Sequence, residues 1–226
     1  MVLRIGHRGA AGHEPENTLR SFERAIGLGV DMVELDVQVC GTGELVVIHD
    51  ETVDRTTDGS GLVKETPFEE LRSLDAGNGE RIPTLDEALA LLEGKAGVNV
   101  ELKSLRSTRP AFASVVKALG RPGWGAEDVL FSSFHLGELT ELRKISAEAR
   151  VGVLVSGDPT MVLEFAALVD AYSINPNHRR INQEFIEEAH GVGLKVFVWT
   201  VNEPGDIERM KGLEVDGIIS DYPDQI

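Results

Sequence analysis

Glu34 and Asp36 stand one residue apart inside the apolar run Val33-Glu34-Leu35-Asp36-Val37. On a β-strand, residues i and i+2 share a face. The two carboxylates then project together, with Val33, Leu35 and Val37 on the other side. Neighbouring carboxylates repel and both resist burial, so such a pair needs compensation. A hard divalent cation with oxygen ligands supplies it. A solvated strand face with two ordinary acids is the competing reading of this run alone. The same spacing recurs in Glu101-Leu102-Lys103, and two more polar clusters, His7-Arg8 and His49-Asp50, end apolar runs. Three carboxylates (Glu34, Asp36, Glu101) fit Mg²⁺ or Ca²⁺, with Mn²⁺ also compatible. His7 and His49 are acid/base candidates near neutral pH, and Arg8 and Lys103 are cations able to hold an anion. Metal, two imidazoles and two cations together suit phosphoryl transfer.

The elements that must bring these residues together are legible as an alternation of strands and helices. The chain has 226 residues, 42% of them hydrophobic, enough for one α/β barrel at the small end of its range. Apolar runs read as strands starting near residues 3, 32, 98, 128, 150, 170, 195 and 215. Helical spacing lies between them, as in Leu19, Phe22, Ala25 and Ile26, with Asn17 or Thr18 as the N-cap. Longer helices are expected over Leu136 to Ile145 and Pro159 to Leu168, and a strand over Ala171 to Ile174. Eight such units predict a (β/α)8 TIM barrel. Gly41-Thr42-Gly43 is too short for a parallel crossover, so Leu45 to Ile48 should fold back as a hairpin arm on strand two. That return carries His49 toward Asp36. Residues 51–80 lack a core pattern and read as a small insertion over the site. The whole chain, 1–226, is expected to form one catalytic domain.

Charge narrows the partners. With 22 basic against 38 acidic residues and a formal charge of −16, the chain lacks the positive field of a nucleic-acid-binding protein. No stretch approaches the roughly 18 apolar residues of a membrane span, and no basic region with an apolar core precedes the first strand. A cytoplasmic protein acting on a small molecule, without stable membrane association, is expected. Oligomeric state is not legible. The single cysteine, Cys40, reads as a small apolar filler.

His7-Arg8-Gly9, Pro15-Glu16-Asn17-Thr18, Glu34-Leu-Asp36-Val37, His49-Asp50, Glu101-Leu-Lys103, Ser133-Phe134, Trp199-Thr-Val-Asn202 and Asp216-Gly-Ile-Ile-Ser-Asp221-Tyr-Pro223 follow one another along nearly the whole chain. In this order they resemble the motifs of the glycerophosphodiester phosphodiesterase family. The resemblance implies a phospholipase-C-like phosphodiesterase TIM barrel. It also implies metal-dependent hydrolysis of glycerophosphodiesters, such as glycerophosphocholine or glycerophosphoethanolamine, to glycerol 3-phosphate and an alcohol. Carried onto this sequence, Glu34, Asp36 and Glu101 hold the metal, and His7 and His49 are the general acid and base in unassigned order. Arg8 and Lys103 contact phosphate, and Phe134 and Trp199 contact the glycerol moiety. Two other readings compete. Mg²⁺-assisted proton abstraction of the enolase type uses the acids and Lys103 but leaves His7 and His49 idle. A barrel that binds phosphodiesters without turnover would be marked by the loss of a His or an acid.

Overall fold

The computed structural model describes residues 2–226. Its strands are β1 (Leu3–Gly6), β2 (Met32–Val39), β3 (Leu45–Val47), β4 (Gly97–Leu102), β5 (Val129–Ser133), β6 (Arg150–Val155), β7 (Ser173–Pro176), β8 (Lys195–Val198) and β9 (Gly217–Ser220). All except β3 pair in parallel with their neighbours, and β1 pairs with both β2 and β9. That last pairing closes an eight-stranded parallel barrel. The surrounding helices are α1 (Leu19–Gly27), α2 (Phe68–Ser73), α3 (Leu85–Leu92), α4 (Thr108–Leu119), α5 (Leu136–Ile145), α6 (Leu163–Leu168), α7 (Gln183–Gly191) and α8 (Pro204–Gly212). Together they make the TIM barrel expected from the alternation. Among the described residues no helix is long and apolar enough to cross a membrane.

Period-two alternation divides each strand between two cores. Val33, Leu35, Val37, Val98, Val100, Phe131, Val151, Val153 and Val196 face outward and pack beneath the helices in the main core. Ile5, Met32, Leu130, Phe197 and Ile219 face inward and plug the barrel, with Leu3, Tyr172 and Trp199 against them. Glu34 and Asp36 share the inward parity of Met32. They are therefore lifted above an apolar floor toward the C-terminal ends of the strands, where this fold builds its sites.

β3 pairs antiparallel with the end of β2, Val37 opposite Val47 and Val39 opposite Leu45. The hairpin arm thus forms as the short turn requires. Beyond it, residues 51–80 wrap a separate small core of Cys40, Val46, Ile48, Val53, Val63, Leu71, Ala76 and Ile82. Cys40 is buried there as filler.

Two expected boundaries move. The helix read over Pro159 to Leu168 splits into a 3₁₀ turn, Pro159–Val162, and α6. Asp158 caps the turn by accepting from Thr160 N, and Pro159 starts it; β-branched Thr160 and Val162 do nothing to favour an α-helical opening. The strand read over Ala171 to Ile174 shifts to Ser173–Pro176. Ala171 instead closes the turn after α6 by donating to the Ala166 carbonyl. Polar Asn175 and Pro176, which broke the apolar run, pair with Leu154 and Val155 inside the sheet.

Candidate active site

Register assembles the acidic cluster. β2 and β4 are neighbours, with Glu34 opposite Asn99 and Asp36 opposite Glu101. Glu34, Asp36 and Glu101 each offer an oxygen, and the three oxygens lie within 4.8 Å of one another. All three residues are buried. Burial, then the charges of Asp36 and Glu101, push the Glu34 carboxyl well above the usual carboxylate range. Burial and then Asp36 push Glu101 up to about 7, against the pull of Lys103. Glu34 Oε1 and Asp36 Oδ1 are buried without a hydrogen-bond partner. Converging, desolvated, partly unsatisfied carboxylate oxygens are the donor set that a hard divalent cation takes. The acidic triad fits such an ion.

The loop after β1 is locked onto that cluster. Arg8 adopts a left-handed backbone, φ 49°, as does Asn17, φ 58°. A non-glycine residue in this region is uncommon and carries strain that its surroundings must hold. The Arg8 amide donates to Glu34 Oε2 at 2.9 Å, and its carbonyl accepts from Asn17 N and Ser21 Oγ. The Arg8 side chain donates to Glu16 Oε1 at 2.7 Å and lies 3.4 Å from Asp36 Oδ2. Thr18, rather than Asn17, caps α1 by accepting from Ser21 N. Asn17 is instead released to brace the acids: its Nδ2 donates to Asp36 Oδ2 at 2.8 Å, and its Oδ1 accepts from Asp36 N. Asn17→Ala strips a buried carboxylate of a donor and puts alanine at a positive φ. Activity is expected to fall by about 10–100-fold, the usual cost of losing a residue that orients a ligand. Steady-state kinetics on a variant with an unchanged circular-dichroism spectrum checks this.

The two histidines share one design. His7 Nδ1 lies 2.6 Å from Asp221 Oδ1. Burial raises the Asp221 carboxyl, but the His7 hydrogen bond and charge, with Asn202 and Arg8, outweigh it and hold its pKa below the usual value. Asp221 is thus an acceptor, and the ring proton belongs on Nδ1. Asn202 fixes Asp221 from behind, Nδ2 donating to Oδ2 at 2.6 Å and Oδ1 accepting from Asp221 N. His49 Nδ1 lies 2.6 Å from Asp50 Oδ1, and its Nε2 lies 3.0 Å from Lys103 Nζ. An ionised Asp50 only accepts and an ammonium only donates, so both neighbours demand Nδ1–H and a lone pair on Nε2. Burial lowers the His49 pKa, with Arg8 and Lys103 also acting downward and Asp36 acting against them. His49 is therefore held neutral.

Lys103 lies just past β4 and donates to Glu101 Oε1 at 2.8 Å. Burial works against its ammonium, but Glu101 and Asp36 outweigh burial and keep its pKa above the ordinary lysine value. Trp199, one residue beyond β8, donates from Nε1 to the Asn175 carbonyl at 2.7 Å. Phe134 stands edge-on to it, ring centroids 5.5 Å apart, and the Lys103 ammonium is 5.8 Å from the Phe134 ring. His7, Arg8, Glu34, His49, Glu101, Lys103, Phe134 and Trp199 line one cavity at the C-terminal mouth of the barrel, with Asn99 and Leu154 deeper in. Asp36 sits directly behind it. Every residue singled out from the sequence as a site candidate is thus brought to one place. His13, His135, His178 and His190 take no part in lining it: each has a local partner, Asp224, the Lys103 carbonyl, the Trp199 carbonyl and Asp216.

Sequence reasoning missed Asn99 and Arg55. Asn99 is 1% exposed, and both of its amide atoms lack a partner. Its signal was present, since Asn99, Glu101 and Lys103 continue a single inward face. Arg55 had no local signal; it joins the site only through Asp50 and Glu16, against which the insertion places it.

A parallel eight-stranded barrel with an acidic triad, two carboxylate-braced histidines and two cations at its mouth is an arrangement suited to acid/base chemistry on a phosphate diester, the class of a TIM-barrel phosphodiesterase. A family model described as the glycerophosphoryl diester phosphodiesterase family matches residues 7–225. A curated glycerophosphodiester phosphodiesterase from Caldanaerobacter subterraneus subsp. tengcongensis is 41% identical over 234 residues, spanning 100% of this chain and 96% of its own. A phosphodiesterase from Oleispira antarctica, solved with the product sn-glycerol-3-phosphate, superposes with a TM-score of 0.89 at 33% identity, covering 98% of this chain and 94% of that one. A glycerophosphodiester phosphodiesterase from Agrobacterium tumefaciens superposes at 0.84 with 31% identity, covering 100% and 98%. The chain belongs to the glycerophosphoryl diester phosphodiesterase family and is an enzyme of that class.

Proposed function

We propose that the protein hydrolyses glycerophosphodiesters, glycerophosphocholine and glycerophosphoethanolamine among them, to glycerol 3-phosphate and the free alcohol. The observation that carries this reading is the convergence on one cavity of two histidines, each with its Nδ1 held by a carboxylate, beside the acidic triad. Glu34, Asp36 and Glu101 would hold Mg²⁺, Ca²⁺ or Mn²⁺. When bound, the cation supplies positive charge for the oxygens of the phosphoryl group. Arg8 and Lys103 bring two further cations to the same anion, in a site screened from water, where such contacts are worth more than at a surface. The Phe134 and Trp199 rings offer an apolar wall to the glycerol carbons. His49, neutral with a lone pair on Nε2, is the proton acceptor. His7, with Asp221 behind it, is the group able to carry and return a proton to the leaving alcohol oxygen. Residues 51–80 cover the site from the β2 side.

The test is release of glycerol 3-phosphate from each diester. Turnover is expected to vanish in EDTA and to return with at least one of the three cations. Undiminished turnover in EDTA, or none with any cation on either substrate, would overturn the reading.

A further inference from the structure

Arg55 belongs to the insertion, yet its guanidinium reaches two carboxylates that stand behind the site. Nε and Nη2 donate to Asp50 Oδ2 and Oδ1 at 2.6 and 3.0 Å. Nη1 and Nη2 donate to Glu16 Oε2 and Oε1 at 2.7 and 2.8 Å. Asp50 is the carboxylate on His49 Nδ1, and Glu16 is the carboxylate on Arg8 Nη1. One planar side chain therefore backs both a catalytic imidazole and a phosphate-facing cation.

An ordinary surface ion pair does little, and the Arg55 side chain is 48% exposed. Its partners are different. Glu16 and Asp50 are 19% and 28% exposed, and each accepts two hydrogen bonds from the same guanidinium. Two forked contacts fix the plane of each carboxylate, which a point charge cannot do. Asp50 Oδ1 accepts from His49 and Arg55 together. The direction in which it faces the ring is thus set by Arg55. Residues 16 and 55 lie on separate segments, and this side chain joins them.

We propose that Arg55 is a positioning residue: it locks Asp50 against His49 and Glu16 against Arg8, so that the insertion sets both groups as one unit. The inference rests on the roles given above to His49 and Arg8. The insertion is then part of the catalytic scaffold as well as a cover. The direction of the carboxyl shifts agrees, since the Arg55 hydrogen bond is the foremost cause holding Asp50 far below the usual range.

Arg55→Ala is expected to lower kcat by about 10–100-fold, as the loss of an orienting contact does. Arg55→Lys should recover less than about a third of the loss, because an ammonium cannot fork onto two carboxylates. Guanidinium ion at millimolar, non-denaturing concentration should restore Arg55→Ala and leave wild type unchanged. In an Asp50→Asn background, Arg55→Ala should cost several-fold less in kcat than it does in wild type, because the path through Asp50 is already gone and only that through Glu16 remains. A readout without turnover accompanies these. NMR of histidine-labelled protein should show the His49 Nδ1–H proton far downfield in wild type and moved upfield, or lost to exchange with water, in Arg55→Ala, where Asp50 is no longer held against the ring. Arg55→Gln replaces the alanine variant if that variant melts early. A kcat within twofold of wild type, an undiminished Arg55→Ala cost in the Asp50→Asn background, or an unchanged His49 Nδ1–H resonance would overturn the inference. A wild type that releases no glycerol 3-phosphate would instead overturn the assigned reaction, and the NMR comparison would still decide the role of Arg55.

Discussion

Glu34→Gln is expected to abolish turnover while making the metal-free protein more stable. The two effects share one cause. Glu34, Asp36 and Glu101 are buried with oxygens within 4.8 Å of each other, and Glu34 Oε1 and Asp36 Oδ1 have no donor. Without a cation, the folded state bears the cost of desolvating like charges. The amide of glutamine keeps the shape and, through its oxygen, can still accept from the Arg8 amide that now donates to Oε2. One negative charge leaves the cluster, and relief of such a strained site is commonly worth about 1–2 kcal/mol. At about 2–4 °C per kcal/mol for a chain of this size, the melting midpoint in EDTA should rise by a few degrees.

The pH dependence has a definite sign. The carboxyls of Glu34 and Glu101 are raised in the folded state by burial and by their acidic neighbours. A raised carboxylate contributes stability that is present below its unfolded pKa and lost as pH rises through the folded one. For Glu101 that window runs from the ordinary glutamate value up to about 7. Metal-free wild type should therefore lose stability as pH rises across this window, and Glu34→Gln should lose less. Added cation binds the folded state of wild type and reverses the order of the two midpoints. Activity of the variant should fall by about 10³-fold or more, since several kcal/mol of charge stabilisation is withdrawn at about 1.4 kcal/mol per decade. Calorimetry with EDTA and with cation, beside a glycerol 3-phosphate assay, reads both halves. A variant less stable than wild type in EDTA would show that the cluster is satisfied without metal.

How much of this was written in the sequence depends on which interactions are local. Glu34, Asp36, Glu101 and Lys103 were legible because a strand's period of two fixes their face without any knowledge of the fold. His49 was legible because a three-residue turn can only return the chain beside β2. Order along the chain then placed His7, Phe134 and Trp199, since strand ends of a barrel share one rim. The contacts that orient these groups were less visible. Asn17 read as a helix cap or loop brace; that Thr18 takes the cap and Asn17 turns to Asp36 is decided by the left-handed backbone of the loop. Asp221 to His7 spans 214 positions, and its carboxylate could have served the last loop equally well. Arg55 looked like any charge in a turn-rich segment, because the insertion's path follows from a small core that alternation does not reveal. The continuation of β7 through Asn175 and Pro176 is of the same kind, a polar inward residue supported by tertiary pairing against local pattern.

His7→Ala and His49→Ala should each cut kcat by about 10²–10⁴-fold on glycerophosphocholine, the range for loss of a positioned acid or base. The two losses should part company on a better leaving group. His49 is held neutral by burial, and both of its neighbours keep its proton on Nδ1 and its lone pair on Nε2. A ring in that state can take a proton from Nε2's side but has none there to give. On the proposed assignment the donor to the departing alcohol is His7, whose cationic form the Asp221 carboxylate stabilises at Nδ1 and whose other nitrogen faces the cavity it lines. A nitrophenolate leaving group departs without help from an acid. On glycerophospho-p-nitrophenol the defect of His7→Ala should therefore shrink to less than about tenfold, while that of His49→Ala should persist. Asp221→Asn should follow His7→Ala in smaller measure, because an amide in place of the carboxylate no longer holds the Nδ1 proton. The opposite pattern, rescue of His49→Ala alone, would exchange the two roles. Equal defects on both substrates would place the rate-limiting barrier before the bond to the alcohol breaks.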